Sequence, residues 1–326
     1  MNRFFSRRVM LQAGVLSGLT SGVFAQNSVN YPTRPIKFVV PITPGGSNDV
    51  VARTVAQKLT EMWGQPVTVD NKPGAGMNLG ADFVAKSPPD GYTWLLGANN
   101  IFVTNPHVGK TPFDVFKDFS PVSQVAVVPF VLVVHPSVPA RNVAELVEYA
   151  KRNPDKLNYG SSGNGSPQQL ATEMLNYAAG IKIQHVPYKG AVPAITDLLG
   201  GRIQVFIGGV NSLLPHVRDG KLRMLAGAGG KRFVAFPDLP AIAETVPGVA
   251  LDVWLGVFMP AGVPKAIVAK ANADITRVLQ SPEVKANLAA QGIEAATSSP
   301  ETLSAMIRDD YARWGKVIRE ADIKAD

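Results

Sequence analysis

Apolar residues run together at Ile36–Val40, and two prolines and two glycines follow at once in Pro41-Ile42-Thr43-Pro44-Gly45-Gly46. The run has the length and β-branched content of a buried parallel strand. Beyond the glycines the period changes. Val51, Val55, Leu59 and Met62 recur at helical spacing, which predicts a helix over 47–63 with Ser47 at its N-cap and Met62 on its inner face. A strand that turns through glycines into a helix start leaves several N–H groups pointing outward. That geometry suits a carboxylate or phosphate, and it is equally found in plain βα connections.

The same alternation continues along the chain. Apolar runs predict strands at 66–69, 93–96, 122–128 and, directly after Pro129, at 130–134. Further runs at 157–159, 183–186, 203–207, 222–226 and 252–259 read the same way. Helical spacing falls between them, at 80–86, 192–199 and 213–218. Several helix starts are marked by capping residues. Asn142 with Glu145 forms a capping box for 142–151, and Ser166 with Gln169 resembles another for 166–179. Ser281-Pro282-Glu283 and Ser299-Pro300-Glu301 both read as N-cap, N1 and N2 of late helices. The last of these carries Leu303, Ile307, Tyr311, Trp314 and Ile318 as a core stripe. Alternating strands and helices imply an α/β fold with helices on both faces of each sheet. The abutting runs around Pro129 suggest a strand that leaves one domain for another, and 252–259 is the natural return. The expected layout is discontinuous, with 30–128 plus 253–326 as one lobe and 129–252 as the other. A ligand cleft would lie between them, closed by a hinge at the two crossings.

Residues 1–25 stand outside this pattern. Arg3, Arg7 and Arg8 precede a short apolar stretch over 9–24, and Val23-Phe24-Ala25 offers a small-residue cleavage site. Ser6-Arg7-Arg8-Val9-Met10-Leu11 resembles a twin-arginine export signal, with a general secretion signal as the other reading. Both make the chain exported and periplasmic, starting near Gln26. This changes the charge balance. The chain has 32 Lys and Arg against 25 Asp and Glu; without the three leader arginines, 29 bases remain. With no basic run interleaved with aromatics, a nucleic-acid role is disfavoured. The absence of cysteine excludes disulfides, thiolate metal sites and cysteine nucleophiles.

Catalytic motifs are absent from the sequence. His107, His135, His185 and His216 lack metal-ligand spacing, so no metal or cofactor is expected, and His135 and His185 read as structural beside strands. Gly160-Ser161-Ser162-Gly163-Asn164 has the wrong order for a serine hydrolase elbow. Gly74-Ala75-Gly76-Met77-Asn78-Leu79-Gly80 misses the dinucleotide fingerprint by one position. What recurs instead is glycine-rich turns at strand ends: 44–47, 74–76, 97–100, 161–166 and 188–190. Ligands of open α/β sheets bind beyond such ends. Each turn alone is ordinary loop chemistry; two sets, one per lobe, would make a donor-lined cleft.

Ordered motifs carry a family resemblance. They are Tyr31-Pro32-x-Arg34-Pro35-Ile36, Pro44-Gly45-Gly46-x-x-Asp49-x-x-Ala52-Arg53, Asn71-Lys72-Pro73-Gly74-Ala75-Gly76, Pro89-Asp90-Gly91-Tyr92-Thr93, His185-Val186-Pro187-Tyr188-Lys189-Gly190, Leu198-Leu199-Gly200-Gly201 and Pro260-Ala261-Gly262-x-Pro264. Together they resemble the Bug (Bordetella uptake gene) proteins, extracytoplasmic solute receptors of tripartite tricarboxylate transporters. The resemblance implies two Rossmann-like lobes closing on a small carboxylate, a monomer delivering it to membrane transporter subunits, and no covalent chemistry. It implies one capturing loop of Thr43, Pro44, Gly45, Gly46 and Ser47, and a second of Ser161, Ser162, Gly163, Asn164 and Ser166. Further contacts implied are Asn78, Asn99, Tyr188, Lys189, Gly190 and Asp197. For Asp197 an exposed helix carboxylate is an equal reading. Lys189 reads as a solvated loop residue, and Asp49 as a structural acid of the first helical turn. A sensory receptor and a cleft enzyme are the alternatives. Three departures from the family pattern stand out: Met77 in place of a usual glycine, Gly208-Gly209 where an aspartate is common, and Ile42-Thr43 before the Pro-Gly-Gly turn. They point to a less polar ligand, such as an aromatic carboxylate.

Overall fold

The computed structural model describes residues 30–233 and 235–320. The expected leader and cleavage site, at 1–25, lie outside the described residues. The chain opens with strand β1 (Ile36–Val40), helix α1 (Ser47–Trp63), β2 (Val67–Asn71), α2 (Asn78–Ala85), β3 (Thr93–Ala98), two short helices α3 (Asn99–Val103) and α4 (Asn105–Val108), and β4 (Phe119–Val128). Next come β5 (Phe130–Val134), α5 (Val143–Arg152), β6 (Asn158–Ser161), α6 (Pro167–Ala179), β7 (Gln184–Pro187), α7 (Ala191–Leu199), β8 (Val205–Gly209), α8 (Val210–Arg218), β9 (Arg223–Gly227) and α9 (Ile242–Thr245). The chain ends with β10 (Val253–Pro260), α10 (Lys265–Gln280), α11 (Pro282–Ala290), β11 (Glu294–Ala295) and α12 (Pro300–Glu320).

Two sheets organise these elements. The first has the order β11-β4-β10-β3-β1-β2, and the second β7-β6-β8-β5-β9. β1 pairs in parallel with β2 and β3, and β6 with β7 and β8, while β10 and β5 run antiparallel to their neighbours. This is the two-sheet α/β architecture that the alternation of strands and helices predicts. Chain passes between the sheets at Pro129 and again at Asp252. The two passages lie side by side, because Val128 pairs with Val253. Just beyond, Ala228 N–H bonds to Phe130 O (2.8 Å) and Leu251 N–H to Ala228 O (2.7 Å).

Local chemistry accounts for most boundaries, with three departures. Gly46, not Ser47, is the N-cap of α1; Ser47 is the first helical residue, and no side chain caps the start. Its hydroxyl instead donates to Asn211 Oδ1 (2.5 Å), across to the second sheet's α8. Val51, Val55 and Leu59 are buried as their spacing predicts, but Met62 is exposed. Asn142 caps α5 by accepting Glu145 N–H (2.8 Å). The box expected at Ser166 does not form: Gln169 Oε1 takes Gly165 N–H (2.7 Å), and Ser166 Oγ is buried without a partner. Ser281 caps α11 as expected. In α12, Leu303, Ile307, Trp314 and Ile318 are buried, and Tyr311 packs on the core half-buried.

Candidate ligand-binding cleft

Where the two sheets face each other, the helix starts converge. The N-terminus of α1 supplies Gly46, Ser47 and Asn48 to one narrow cavity, partly open to solvent. From the second sheet, Pro167 and Gln168 of α6, Ala191 of α7, and Gly209 and Ser212 at the start of α8 complete the opposite side. The remaining wall is mainly apolar, from Ile42, Met77, Ala98, Val128, Phe130 and Val253. No ionisable side chain lines this inner compartment. Helix geometry leaves the first N–H groups of each helix without intrahelical acceptors, and the macrodipole makes each start partly positive. In α1 the first intrahelical bond is Val50 N–H to Gly46 O, so the amides of Ser47 and Asn48 precede it. Beside them Asn48 Nδ2 is buried and has no hydrogen-bond partner.

A second, larger compartment, more open to solvent, lies further out. Gly74, Ala75, Gly76, Asn78, Asn105 and Lys110 line it from the first sheet's side; Ser162–165 and Pro187–189 face them. Ser162 lines both compartments. Lys110 and Lys189 make this outer space cationic, and no carboxylate lines it.

Residues expected in the cleft are thus distributed over two compartments and their supports. Thr43, Gly46, Ser47 and Ser162 line the inner one; Asn78, Ser162, Gly163, Asn164, Tyr188 and Lys189 line the outer one. Pro44, Gly45, Asn99, Ser161, Ser166, Gly190 and Asp197 line neither. Gly45 N–H is taken by Asp49 Oδ2 (3.0 Å). Asn99 is buried and donates to Asp252 O (2.9 Å), fastening the second passage between the sheets. Gly190 packs against Thr43 so tightly that a Cβ there would lie 2.5 Å from Thr43 Oγ1. Asp197 binds Arg202 (2.6 Å) and accepts the Tyr188 hydroxyl (2.8 Å). Burial, and then that bond to the carboxylate, push the Tyr188 hydroxyl up to about 12; the same two partners hold Asp197 below the usual carboxylate range. Asn48, Gln168 and Ser212, which sequence reasoning did not single out, line the inner compartment.

Ser161 and His185 have the residue types of a nucleophile and base, with Oγ 2.6 Å from Nε2. Ser161 is fully buried beneath the loop, however, and its Oγ accepts Gly163 N–H (3.1 Å). The pair anchors the turn and reaches neither compartment.

Comparison with known proteins agrees with this architecture. The pattern of the tripartite tricarboxylate transporter family receptor (TctC) matches residues 51–323. The chain belongs to that family. Protein BugT of Bordetella pertussis is 38% identical over 309 residues, covering 94% of this chain and 95% of BugT. A solved R. palustris protein with adipate superposes with a TM-score of 0.87 at 38% identity, covering 90% of this chain and 99% of that one. MatC from Rhodopseudomonas palustris with bound malate gives a TM-score of 0.84 at 30% identity, covering 88% and 100%. As a TctC-family chain it has the fold and family of solute-binding receptors, which are not enzymes. Among the described residues, no helix is long and apolar enough to cross a membrane, and no cluster of three metal-ligating side chains occurs.

Proposed function

We propose that this receptor is periplasmic, captures a small organic carboxylate between lobes formed by 30–128 with 253–326 and by 129–252, and hands it to the membrane subunits of a tripartite transporter. One observation carries the ligand class. Four helix starts, of α1, α6, α7 and α8, meet at a cavity with no ionisable side chain, next to the unpartnered buried donor Asn48 Nδ2. Each helix start favours an anion by about 0.3–2 kcal/mol, depending on burial. A cation there would meet four partly positive ends and no counter-charge. Relatives solved with adipate and malate support the same class.

Capture needs no covalent step. Contacts between the halves, such as Ser47 to Asn211 and Gly190 against Thr43, would complete the cavity only when the lobes meet. A ligand favours that state in proportion to the contacts it makes better there. The test is a thermal-shift and calorimetric screen of small carboxylates against their neutral amides. At one hundred times Kd a bound carboxylate should add about 2.7 kcal/mol of stability, and the matched amide should add none. Asn48→Leu should weaken the best carboxylate at least tenfold. If no carboxylate shifts the melting curve, or amides serve as well, the reading fails.

A further inference from the structure

We propose that the inner compartment takes a ligand with a single carboxylate on a compact apolar body, and that Met77 sets this selectivity by walling that compartment off from the lysine-lined outer one. The proposal rests on the carboxylate reading above and deepens it.

The segment that carries Met77 runs between the two compartments. Gly76 and Asn78 line the outer one, whereas Met77 lines the inner one and is buried. Ser162, on the opposite half, lines both. Met77 and Ser162 therefore stand on either side of the boundary. The backbone that presents Met77 is unusual. Ala75, Gly76 and Met77 have φ values of 49°, 60° and 80°, a run in the left-handed region that L side chains seldom enter. Such a conformation persists when its surroundings over-determine it, and they do here. Asn100 and Asn105 each donate from Nδ2 to Gly76 O, at 3.0 and 2.9 Å, and Asn105 Nδ2 also reaches Asn78 Oδ1 at 2.7 Å. Gly76 is pressed against the second half as well, since a Cβ there would lie 2.4 Å from Asn164 O. The thioether is thus held on the inner side by a clamped turn.

The chemistry of the two spaces differs across that boundary. The inner one offers helix-start amides, Asn48 Nδ2 and the Thr43 hydroxyl for one anionic head, while the Ser47, Ser162 and Ser212 hydroxyls already donate to Asn211, Gln168 and Gly209; much of the rest is Ile42, Ala98, Val128, Phe130 and Val253. A second carboxylate placed among these would be a buried charge without a partner, which is strongly disfavoured. Cations occur only outside, on Lys110 and Lys189. With Met77 in place, a ligand seated inside cannot extend a second carboxylate to them.

Isothermal titration of the full chain with benzoate, cyclohexanecarboxylate, succinate and adipate tests this, in the wild type and in Met77→Gly. Glycine suits the left-handed backbone and removes the wall. The wild type should bind at least one of the two monocarboxylates ten or more times tighter than adipate. Met77→Gly should move that ratio at least tenfold toward adipate. If circular dichroism shows that Met77→Gly does not fold, Met77→Ala is read in the same way. Wild-type binding of succinate or adipate as tight as that of the better-bound monocarboxylate overturns the proposal while leaving carboxylate capture intact. An unchanged ratio in the folded variant overturns the role of Met77. Failure of all four acids, together with silence in the wider carboxylate screen, removes the carboxylate reading itself.

Discussion

The carboxylate of Asp49 takes three donors: Gly45 N–H at 3.0 Å, Arg53 Nε at 2.9 Å and Asn71 Nδ2 at 3.0 Å. It thereby ties the glycine turn, α1 and the end of β2 into one unit. Burial opposes ionisation of this group, but the bonds from Arg53, Gly45 and Asn71 outweigh it and hold the carboxyl below the usual carboxylate range. A depressed folded pKa contributes stability that is full above the unfolded value, near 4. That contribution is lost as pH falls through the folded pKa, so the turn should loosen only in acid. Asp49→Asn keeps the shape and removes the charge. It should cost about 1–2 kcal/mol in urea unfolding at pH 7, the half-exposed Arg53 weakening the pair. The gap between variant and wild type should shrink below pH 4. A constant gap from pH 7 to pH 3 would show that charge is not what holds the turn. Asp49 was readable from its place in the first helical turn. Asn48 beside it was not, because its significance depends on which other helix starts arrive opposite.

At the scale of elements, the halves meet through glycines that leave no room for a side chain. A Cβ on Gly209, at the start of α8, would lie 2.4 Å from Ser47 Oγ on α1. Its φ is −59°, so bulk here tests the approach of the two helices without backbone strain. Gly209→Val should weaken ligand binding at least tenfold in calorimetry, while the melting point of the ligand-free protein moves by only a few degrees. Equal losses in both would mark a local packing defect instead. The same contrast between local and distant information explains which elements could be read beforehand. β1 and α1 are bracketed by Pro, Gly and a clear change of period, and their limits coincide with the expected ones. α10 gave no comparable signal. Its N-cap is Pro264, with no side-chain cap, and alanines dilute the contrast around buried Ile275, Val278 and Leu279. Ser166 shows the converse: a correct capping pattern whose Gln169 is drawn one residue away, to Gly165. The glycine turns of the cleft were visible as turns. Their division into an inner neutral and an outer cationic space was not, since it arises only when the sheets face each other.

For the whole molecule, the outer compartment adjoins the inner one, with Ser162 lining both. Lys110 and Lys189 face it from opposite halves with no carboxylate in its lining. Such a mouth concentrates anions and speeds their encounter, an effect that salt screens. Replacing both lysines with glutamine should slow association about five- to tenfold at low ionic strength in stopped-flow fluorescence. It should also flatten the salt dependence, with dissociation little changed. A loss confined to dissociation would place the lysines on the bound ligand. Behind the mouth, the two passages between sheets run as neighbouring paired strands, Val128 beside Val253. A pair of strands joined by hydrogen bonds flexes readily across its width and resists shear along its length. The lobe opening proposed above should then follow close to a single coordinate, an angle about one axis. One distance measured across the mouth, between one label on each half, would suffice to report where each molecule stands along its working cycle.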